Sequence, residues 1–225
     1  MDDIKNIAVI CGGSSPEREI SLQSGNGVGS ALIELGFQTS IIDFQDLNDL
    51  SILKNYDLVF IALHGFEGEG GDLQESLDSL GIKYTGSNAV GCKNTWNKVK
   101  CKNILFQNDV SSPKAVISSS LDNEDFNPFT EFEKEFGYKK SLFMKPSEDG
   151  SSIDIYKISN NDEFISARMS CINKSREFIF EEEIKGKEYT LTIINNKCFP
   201  PIEIQTKNDF YDYDAKYISN ETILA

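Results

Sequence analysis

The sequence is poor in the residues that most often bind metals or mark secreted and membrane proteins. It has a single histidine, His64, and its five cysteines are scattered without a CxxC pair. Disulfides and a zinc site are therefore not expected, and the cysteines are predicted to be small buried or half-buried thiols. No apolar run is long enough to span a bilayer, and the acidic start MDDIK is unlike a signal peptide. We therefore expect a cytoplasmic protein.

Basic residues are also scarce. The 225 residues include 22 lysines and arginines against 36 aspartates and glutamates, which gives a net charge of -14. Such an acidic chain repels phosphate backbones and anionic membranes, so neither nucleic acid nor a membrane is expected as a partner. Small anionic substrates stay open, because local lysines can still bind phosphate. The length and the 39% hydrophobic content are enough for a sizeable core.

The first part of the chain alternates between apolar runs and helical spacing. Residues 6–11 (NIAVIC) form a continuous apolar run, which is typical of a strand buried on both faces. Further strands are predicted at residues 37–44 and 56–63, with helices at residues 17–36 and 71–80. This β-α-β order predicts an open parallel α/β sheet. Ligands bind at the carboxyl ends of such strands, where Gly12-Gly13 and His64-Gly65 fall.

The rest of the chain reads as a mixed α+β block with several short strands. Strands are predicted at residues 114–117, 142–146, 153–158, 178–184 and 189–194, and helices at residues 98–107 and 163–171. The stretch at residues 118–128 is polar and rich in turn residues. This block is unlike the first part, so we predict a second folding unit.

Several polar residues in this block have both a structural and a functional interpretation. Lys145 ends an apolar strand and precedes the Gly-Ser-Ser loop at residues 150–152. It is either a surface lysine beside an ordinary turn or the charge beneath a phosphate-covering loop. The three glutamates at residues 181–183 are predicted to be mostly a solvated acidic face, with one carboxylate left for a ribose hydroxyl or a cation. The lone His64 is either structural or part of a binding cleft.

The segment FYDYDAKY, residues 210–217, fits neither helix nor strand patterning. It is either a surface loop with an aromatic anchor or a lid over a polar ligand. The glycine-rich segments match neither a GxGxxG fingerprint nor a P-loop, so any nucleotide must be bound in another way.

Taken in order, seven segments carry a resemblance to one family. They are GGSSPEREISLQSG (12–25), ALHG (62–65), GDLQ (71–74), YTGS (84–87), MKPSEDGSS (144–152), the E-x6-E pair Glu181 and Glu188, and FYDYDAKY (210–217). Together they resemble the D-alanine–D-alanine ligase family of ATP-grasp enzymes. The resemblance implies a pre-ATP-grasp substrate-binding domain at 1–97 and a central ATP-grasp subdomain at 98–185. It also implies the start of the C-terminal ATP-grasp subdomain, with its lid loop, at 186–225, incomplete at its C-terminus.

The resemblance also implies roles at matched positions. Glu17, Ser151 and Tyr217 would be the catalytic residues, joined in a hydrogen-bonded triad that closes the lid. Glu17 would hold the ammonium of the first D-alanine, and His64 would lie near its carboxylate. The ATP contacts would be Lys98 and Lys145 on the phosphates, Lys216 on the transferring phosphate, Ser152 in the covering loop, and Glu181 and Glu188 on the adenosine.

The implied reaction joins two D-alanines through an acyl phosphate, at the expense of ATP with Mg²⁺ or Mn²⁺, for peptidoglycan synthesis. A homodimer is usual for the family. Its metal ligands are expected beyond the lid loop, in a segment this sequence does not include, so no metal ligand is predicted here. We accordingly expect this polypeptide alone to be a poor catalyst.

Three local departures from the family pattern stand out. The sequence has Gly68-Glu69-Gly70-Gly71 in place of GEDG, Asn97 in place of an acid, and Asp154 in place of a glycine beside the phosphate loop. Tyr217 favours the dipeptide over D-alanyl-D-lactate. Two other functions stay open: a different ATP-grasp carboxylate–amine ligase, and a non-catalytic nucleotide-binding protein.

Overall fold

Residues 4–150, 152–207, 215–216 and 221–225 are described by the computed structural model of the chain. They divide into two units, Met1–Asn108 and Asp109–Ala225. The helix at Lys98–Gln107 falls in the first unit. The three-part division at 1–97, 98–185 and 186–225 stays a prediction. In the described part of the chain, no helix is long and apolar enough to cross a membrane.

The first unit is built on a parallel sheet of three strands. They are β1 (Asn6–Cys11), β2 (Gln38–Asp43) and β3 (Leu58–Ile61), in the order β2-β1-β3. Both neighbours of the central strand run parallel to it, which confirms the predicted sheet. Ala8 and Ile10 pack into one core with Leu53, whereas Val9 and Cys11 pack into another. The continuous apolar run of β1 thus reflects burial on both faces.

Five α-helices and two short 3-10 helices, Phe44–Asp46 and Leu50–Asn55, accompany this sheet among the described residues of the first unit. The five α-helices are α1 (Arg18–Glu34), α2 (Phe66–Glu69), α3 (Asp72–Leu80), α4 (Ala89–Trp96) and α5 (Lys98–Gln107). The helices predicted at 17–36, 71–80 and 98–107 are confirmed. The sequence patterns did not predict α2 or α4. The first is a single turn in a glycine-rich segment, and the second begins at an Asn88 cap rather than at an apolar repeat.

The second unit has an antiparallel sheet of four strands. They are β4 (Ala115–Ser118), β5 (Leu142–Pro146), β6 (Tyr156–Ile158) and β7 (Phe178–Glu182), in the order β4-β7-β5-β6. Helices α6 (Pro128–Phe136) and α7 (Asn161–Ser170) supply Phe132 and Phe164 to its core. The four strands and α7 confirm the predicted elements. In contrast, the sequence patterns did not predict α6, because its cap at Asn127 lies within the polar, turn-rich stretch at residues 118–128.

The remaining strands are short. They are β8 (Glu188–Thr190), β9 (Ile193–Ile194), β10 (Lys197–Cys198), β11 (Ile202–Gln205) and β12 (Ile223–Leu224). The prediction of one strand over residues 189–194 is wrong, because β8 pairs with β11 while β9 pairs with β10. Asn195 and Asn196 have φ of 50° and 60°, the backbone of a tight two-residue hairpin, and this turn draws β9 into its own pairing.

All five cysteines are free thiols. Cys11, Cys92 and Cys171 are buried and Cys101 is half-buried, as predicted. Cys198 departs from the prediction: it is exposed, because its two-residue strand β10 pairs only with β9 and has no core to pack against.

Candidate functional site

A cleft of about 350 Å³ in the second unit contains most of the residues predicted to bind a nucleotide. Its lining consists of Pro113, Phe143, Lys145, Ser152, Ile155, Glu181, Glu182, Ile184, Glu188 and Lys216. The volume lies within the range of small-molecule sites, and the mixture of apolar walls with a few charged groups is typical of them. The structure therefore brings together Lys145, Ser152, Glu181, Glu188 and Lys216.

Strand pairing explains why Lys145 and Glu181 meet. Phe143 on β5 is directly opposite Glu181 on β7, and Lys145 lies two residues further along the same face. Lys145 Nζ donates to Glu181 Oε2 at 2.7 Å and lies 5.5 Å from the centre of the Phe143 ring. A lysine and a carboxylate are thus placed beside an aromatic face, and each neutralises the charge of the other.

The second lysine of the cleft contacts the Gly-Ser-Ser loop at residues 150–152, here called the serine loop. Lys216 Nζ donates to Ser152 Oγ at 2.9 Å. Ser152 has a φ of 61°, in a turn where the Ile153 N–H donates to Gly150 O at 3.2 Å. The loop therefore presents a hydroxyl to an ammonium group, an arrangement that suits an anion held by both.

Asp154 does not add a free negative charge beside this loop. It is only 8% exposed, and its carboxylate accepts hydrogen bonds from the Arg176 guanidinium and, at 3.1 Å, from the Ile172 N–H. Arg176 also pairs with Asp149 at the start of the loop. Burial, together with the charge of Asp154, raises the pKa of Tyr156 to about 12. Through Arg176, which also pairs with Asp149, Asp154 stabilises the start of the serine loop.

The prediction of a mostly solvated acidic face at residues 181–183 is wrong. Each of the three glutamates has a side chain no more than 14% exposed and forms an ion pair with a lysine. Although partial burial acts to raise it, hydrogen bonds from the Lys114 N–H, Tyr138 and Lys140 lower the pKa of Glu182. The pairs are Lys145–Glu181 at 2.7 Å, Lys140–Glu182 at 3.2 Å and Lys157–Glu183 at 3.0 Å.

Of two further residues predicted to contact ATP, the structure places Glu188 in the cleft but does not place Lys98 there. Glu188 begins β8, is exposed, and lines the cleft. Lys98 begins α5 in the first unit, so its phosphate contact stays a prediction. The neighbouring Asn97 caps that helix, accepting from the Lys100 N–H at 2.9 Å. Its amide thus has a structural use where the family usually has an acid.

The first unit places Glu17 and His64 at the carboxyl ends of its strands. Glu17 comes directly before α1, is 5% exposed, and its N–H donates to Ser15 Oγ at 3.2 Å. Ser15 Oγ in turn donates to His64 O at 3.2 Å. His64 is half-buried, with Nε2 lying 3.1 Å from Ser24 Oγ. The loops that carry Glu17 and His64 are thus in direct contact.

Glu69 is a further acidic group of this region that the sequence motifs did not single out as functional. Its side chain is exposed, yet partial desolvation of the carboxyl group raises its pKa, and the nearby Glu17 carboxylate adds to that effect. A hydrogen bond from the Gly65 N–H, at 3.1 Å, and the charge of His64 oppose the rise. The replacement of GEDG by GEGG was the available signal, because it left Glu69 as the only acid within that motif.

Ser151 and Tyr217, the other two members of the predicted triad, lie outside the described residues, as do residues 208–214 and 218–220. Their roles stay predictions. Within the described ranges, no group of three or more His, Cys, Asp and Glu side chains is arranged to hold a metal ion.

An open parallel α/β unit followed by an antiparallel unit with a lysine-bearing cleft is the architecture of the ATP-grasp ligases. The family profile described as "D-ala D-ala ligase C-terminus" matches residues 110–225. The D-alanine–D-alanine ligase of Buchnera aphidicola is 37% identical over 97% of this chain and 72% of its own length. That of Pseudoalteromonas translucida is 35% identical over 96% of this chain and 69% of its own. The chain belongs to the D-alanine–D-alanine ligase family.

Solved structures agree with this assignment. The Bacillus anthracis D-alanine–D-alanine ligase, crystallised with ATP, superposes with a TM-score of 0.77 at 30% identity, covering 98% of this chain and 70% of the other. The Vibrio cholerae D-alanyl-alanine synthetase A superposes with a TM-score of 0.78 at 25% identity, covering 98% and 73%. The predicted fold class is therefore confirmed.

Proposed function

We propose that this protein takes part in the ATP-dependent ligation of two D-alanines to D-alanyl-D-alanine. The observation that carries the proposal is the cleft of the second unit, where Lys145, Lys216 and Ser152 offer cationic and hydroxyl donors beside Glu181 and Glu188. These donors and acceptors suit a nucleoside triphosphate, with the lysines on the phosphates and the carboxylates on the adenosine. Lys98 is proposed as a further phosphate contact.

The first D-alanine is proposed to bind at the carboxyl ends of the first unit's strands. The buried Glu17 carboxylate would receive its ammonium, and His64 would lie near its carboxylate. A buried carboxylate is a strong site for a small cation, because little water competes for it. Glu17, Ser151 and Tyr217 are proposed as the triad that closes the lid.

In the proposed reaction, a carboxylate oxygen of the first D-alanine attacks the γ-phosphorus, and the bond to the β–γ bridging oxygen breaks to release ADP. The amine of the second D-alanine then attacks the acyl carbon, and phosphate leaves from the tetrahedral intermediate as the nitrogen loses a proton. Lys145 and Lys216 would offset the charge on the transferring phosphoryl group. A closed lid would exclude water, which otherwise hydrolyses an acyl phosphate.

We also propose that ATP is used as its Mg²⁺ or Mn²⁺ complex, since such ions commonly bind through phosphate oxygens. The described residues include no cluster of three or more His, Cys, Asp and Glu side chains that could hold the ion. The family supports a place in peptidoglycan synthesis, cell-wall biogenesis and the maintenance of cell shape. A cytoplasmic location follows from the use of ATP, and a homodimer, which light scattering would detect, follows from the family alone.

Calorimetry and product analysis on the full chain test this proposal. With Mg²⁺ and a non-hydrolysable ATP analogue present, D-alanine should bind and L-alanine should not. With ATP, any phosphate released should depend on D-alanine and be matched by the dipeptide. Equal responses to L-alanine or to other amino acids would favour a different carboxylate–amine ligase. Binding of both substrates without dipeptide would favour the non-catalytic nucleotide-binding protein.

A further inference from the structure

The loop between β1 and α1, residues 12–16 and here called the opening loop, leads directly into Glu17. Two nearby side chains hold its first residues. The Gly12 N–H donates to Ser21 Oγ at 2.9 Å, and Arg18 Nη1 donates to Gly13 O at 2.9 Å. These two contacts come from α1, the helix that follows the loop, and near the other end of the loop Ser15 Oγ donates to His64 O at 3.2 Å.

A contact from a distant part of the chain holds the middle of the opening loop. Glu67, on the single-turn helix α2, accepts from the Ser14 N–H at 2.7 Å through Oε2 and from Ser14 Oγ at 2.9 Å through Oε1. Hydrogen bonds to an ionised carboxylate are about twice as strong as neutral ones. Both oxygens are therefore committed to one residue, 53 positions earlier in the sequence. Glu67 belongs neither to ALHG (62–65) nor to GDLQ (71–74).

The opening loop is shaped to accept this carboxylate. Gly13 has a φ of 77°, and a Cβ added to it would lie 2.2 Å from Glu67 Oε2. Only glycine permits both that backbone conformation and such a close approach. The carboxylate thus rests against the bare backbone of Gly13 while it binds Ser14.

The other end of this contact is also fixed. Gly68 lies in α2, the same short helix as Glu67. Its carbonyl oxygen accepts from Nε2 of Gln74 at 2.6 Å, and the Gln74 side chain is only 3% exposed. Just before that helix, the Gly65 N–H donates to Glu69 Oε1 at 3.1 Å. The turn that follows His64 is therefore held by its own hydrogen bonds, and Glu67 joins it to the opening loop.

We propose that Glu67 is a positioning residue that holds the loop leading to Glu17 at a fixed distance from the turn carrying His64. The inference rests on the proposed function, in which Glu17 and His64 hold opposite ends of one D-alanine. Glu67 acts through Ser14 and does not touch the substrate. A site fixed in this way binds better because less motion is lost on binding.

Calorimetry with D-alanine and the ATP analogue tests the role on the full chain. Glu67→Ala should weaken D-alanine binding roughly 10-fold, the scale of one charged hydrogen bond. Glu67→Gln should restore it, because the amide oxygen accepts from the Ser14 N–H while the amide nitrogen donates to Ser14 Oγ. The control Glu34→Ala removes an exposed carboxylate of α1 and should bind like the wild type. Wild-type affinity in Glu67→Ala, or no rescue by Glu67→Gln, would overturn the proposal.

A double variant tests whether Glu67 acts through Ser14. Ser14→Ala removes one of the two hydrogen bonds and should cost less affinity than Glu67→Ala. If the two residues form one contact, the double variant should bind D-alanine no more weakly than Glu67→Ala alone. Fully additive losses would contradict the proposal.

Hydrogen exchange on the ligand-free chain gives a readout that needs no substrate. Glu67→Ala should speed exchange in peptides covering residues 12–17, whereas Glu67→Gln and Glu34→Ala should not. Unchanged exchange in Glu67→Ala would show that Glu67 does not hold the loop. A wild type that binds no D-alanine would instead count against the proposed function, and the exchange result would still decide whether the contact fixes the loop.

Discussion

Lys145 shows how one residue serves both the folded chain and the proposed ligand. In the cleft, its charge is neutralised by Glu181 at 2.7 Å, with the two side chains 25% and 14% exposed. A partly buried charge without a partner would be costly, so each of the two side chains compensates the charge of the other. A nucleotide phosphate would compete with Glu181 for the ammonium, while the carboxylate becomes available to the rest of the ligand.

Replacement of Lys145 should accordingly weaken nucleotide binding more than it weakens the fold. In Lys145→Met the stem can still pack on Phe143, but one charged hydrogen bond is lost, so ATP should bind on the order of 10- to 100-fold more weakly. Calorimetry would measure the change. The matched control is Lys157→Met, which breaks the Lys157–Glu183 pair of the same sheet. Equal losses in both variants would show that Lys145 has no special role.

The Arg18–Asp43 ion pair contributes to the stability of the first unit, and that contribution depends on pH. A hydrogen bond from Arg18 lowers the pKa of Asp43 to about 2, against the effect of partial burial and with help from the Gln45 and Gly13 N–H groups. Because the folded pKa lies below the ordinary value of 3.8, the pair's contribution to stability is present above about pH 4 and is lost as the pH falls towards 2.

Asp43→Asn should therefore destabilise the chain at pH 7 by about 1 kcal/mol, since solvent screens a partly exposed pair. The difference in unfolding free energy from the wild type should shrink as the pH is lowered from 4 to 2. Urea denaturation at several pH values would measure it. A difference that stays constant across that range would contradict the depressed pKa.

Among the elements, those with apolar periodicity were predictable and those that begin at a polar cap were not. Strands β1, β5 and β7 could be located from their apolar residues. Those of β1 and β7 form a continuous buried run, and those of β5 are buried at alternate positions. By contrast, α6 begins where Asn127 accepts from the Phe129 and Thr130 N–H groups and Pro128 takes the first helical position. That local signal followed a mostly polar stretch, in which the apolar residues Leu121 and Phe126 show no helical spacing.

This cap also makes a prediction about α6. Asn127→Ala should cost about 1 kcal/mol of stability, because two backbone N–H groups at the helix start lose their acceptor. Asn127→Asp keeps the acceptor and gives up only the hydrogen bond from Nδ2 to Asn161 Oδ1, so it should cost less. Urea denaturation of both variants would decide. Equal losses in the two variants would show that the cap contributes nothing and that the link to Asn161, which both variants lose, accounts for the effect.

For the site, the sequence could place residue types but not their partners. The motifs brought attention to Lys145, Glu181 and Lys216, yet nothing in their spacing revealed that Lys145 pairs with Glu181 or that Lys216 contacts Ser152. Those contacts depend on strand register and on chain segments about 36 to 64 residues apart. The structural role of Asp154 was likewise hidden, because Arg176 lies 22 positions away.

At the scale of the whole molecule, the chain consists of two units, and each contributes a different part of the proposed chemistry. The first carries Glu17 and His64, and the second carries the lysine-bearing cleft. The chain spans about 72% of the length of the Buchnera relative. We predict two distinguishable ligands: D-alanine at Glu17 and His64, and a nucleotide in the cleft lined by Lys145 and Lys216.

A crystal structure of the full chain with an ATP analogue and D-alanine would test this most directly. We expect nucleotide phosphates in contact with Lys145 and Lys216, and the D-alanine ammonium against the carboxylate of Glu17. A nucleotide bound elsewhere while the cleft stays empty would contradict it, as would D-alanine bound away from Glu17.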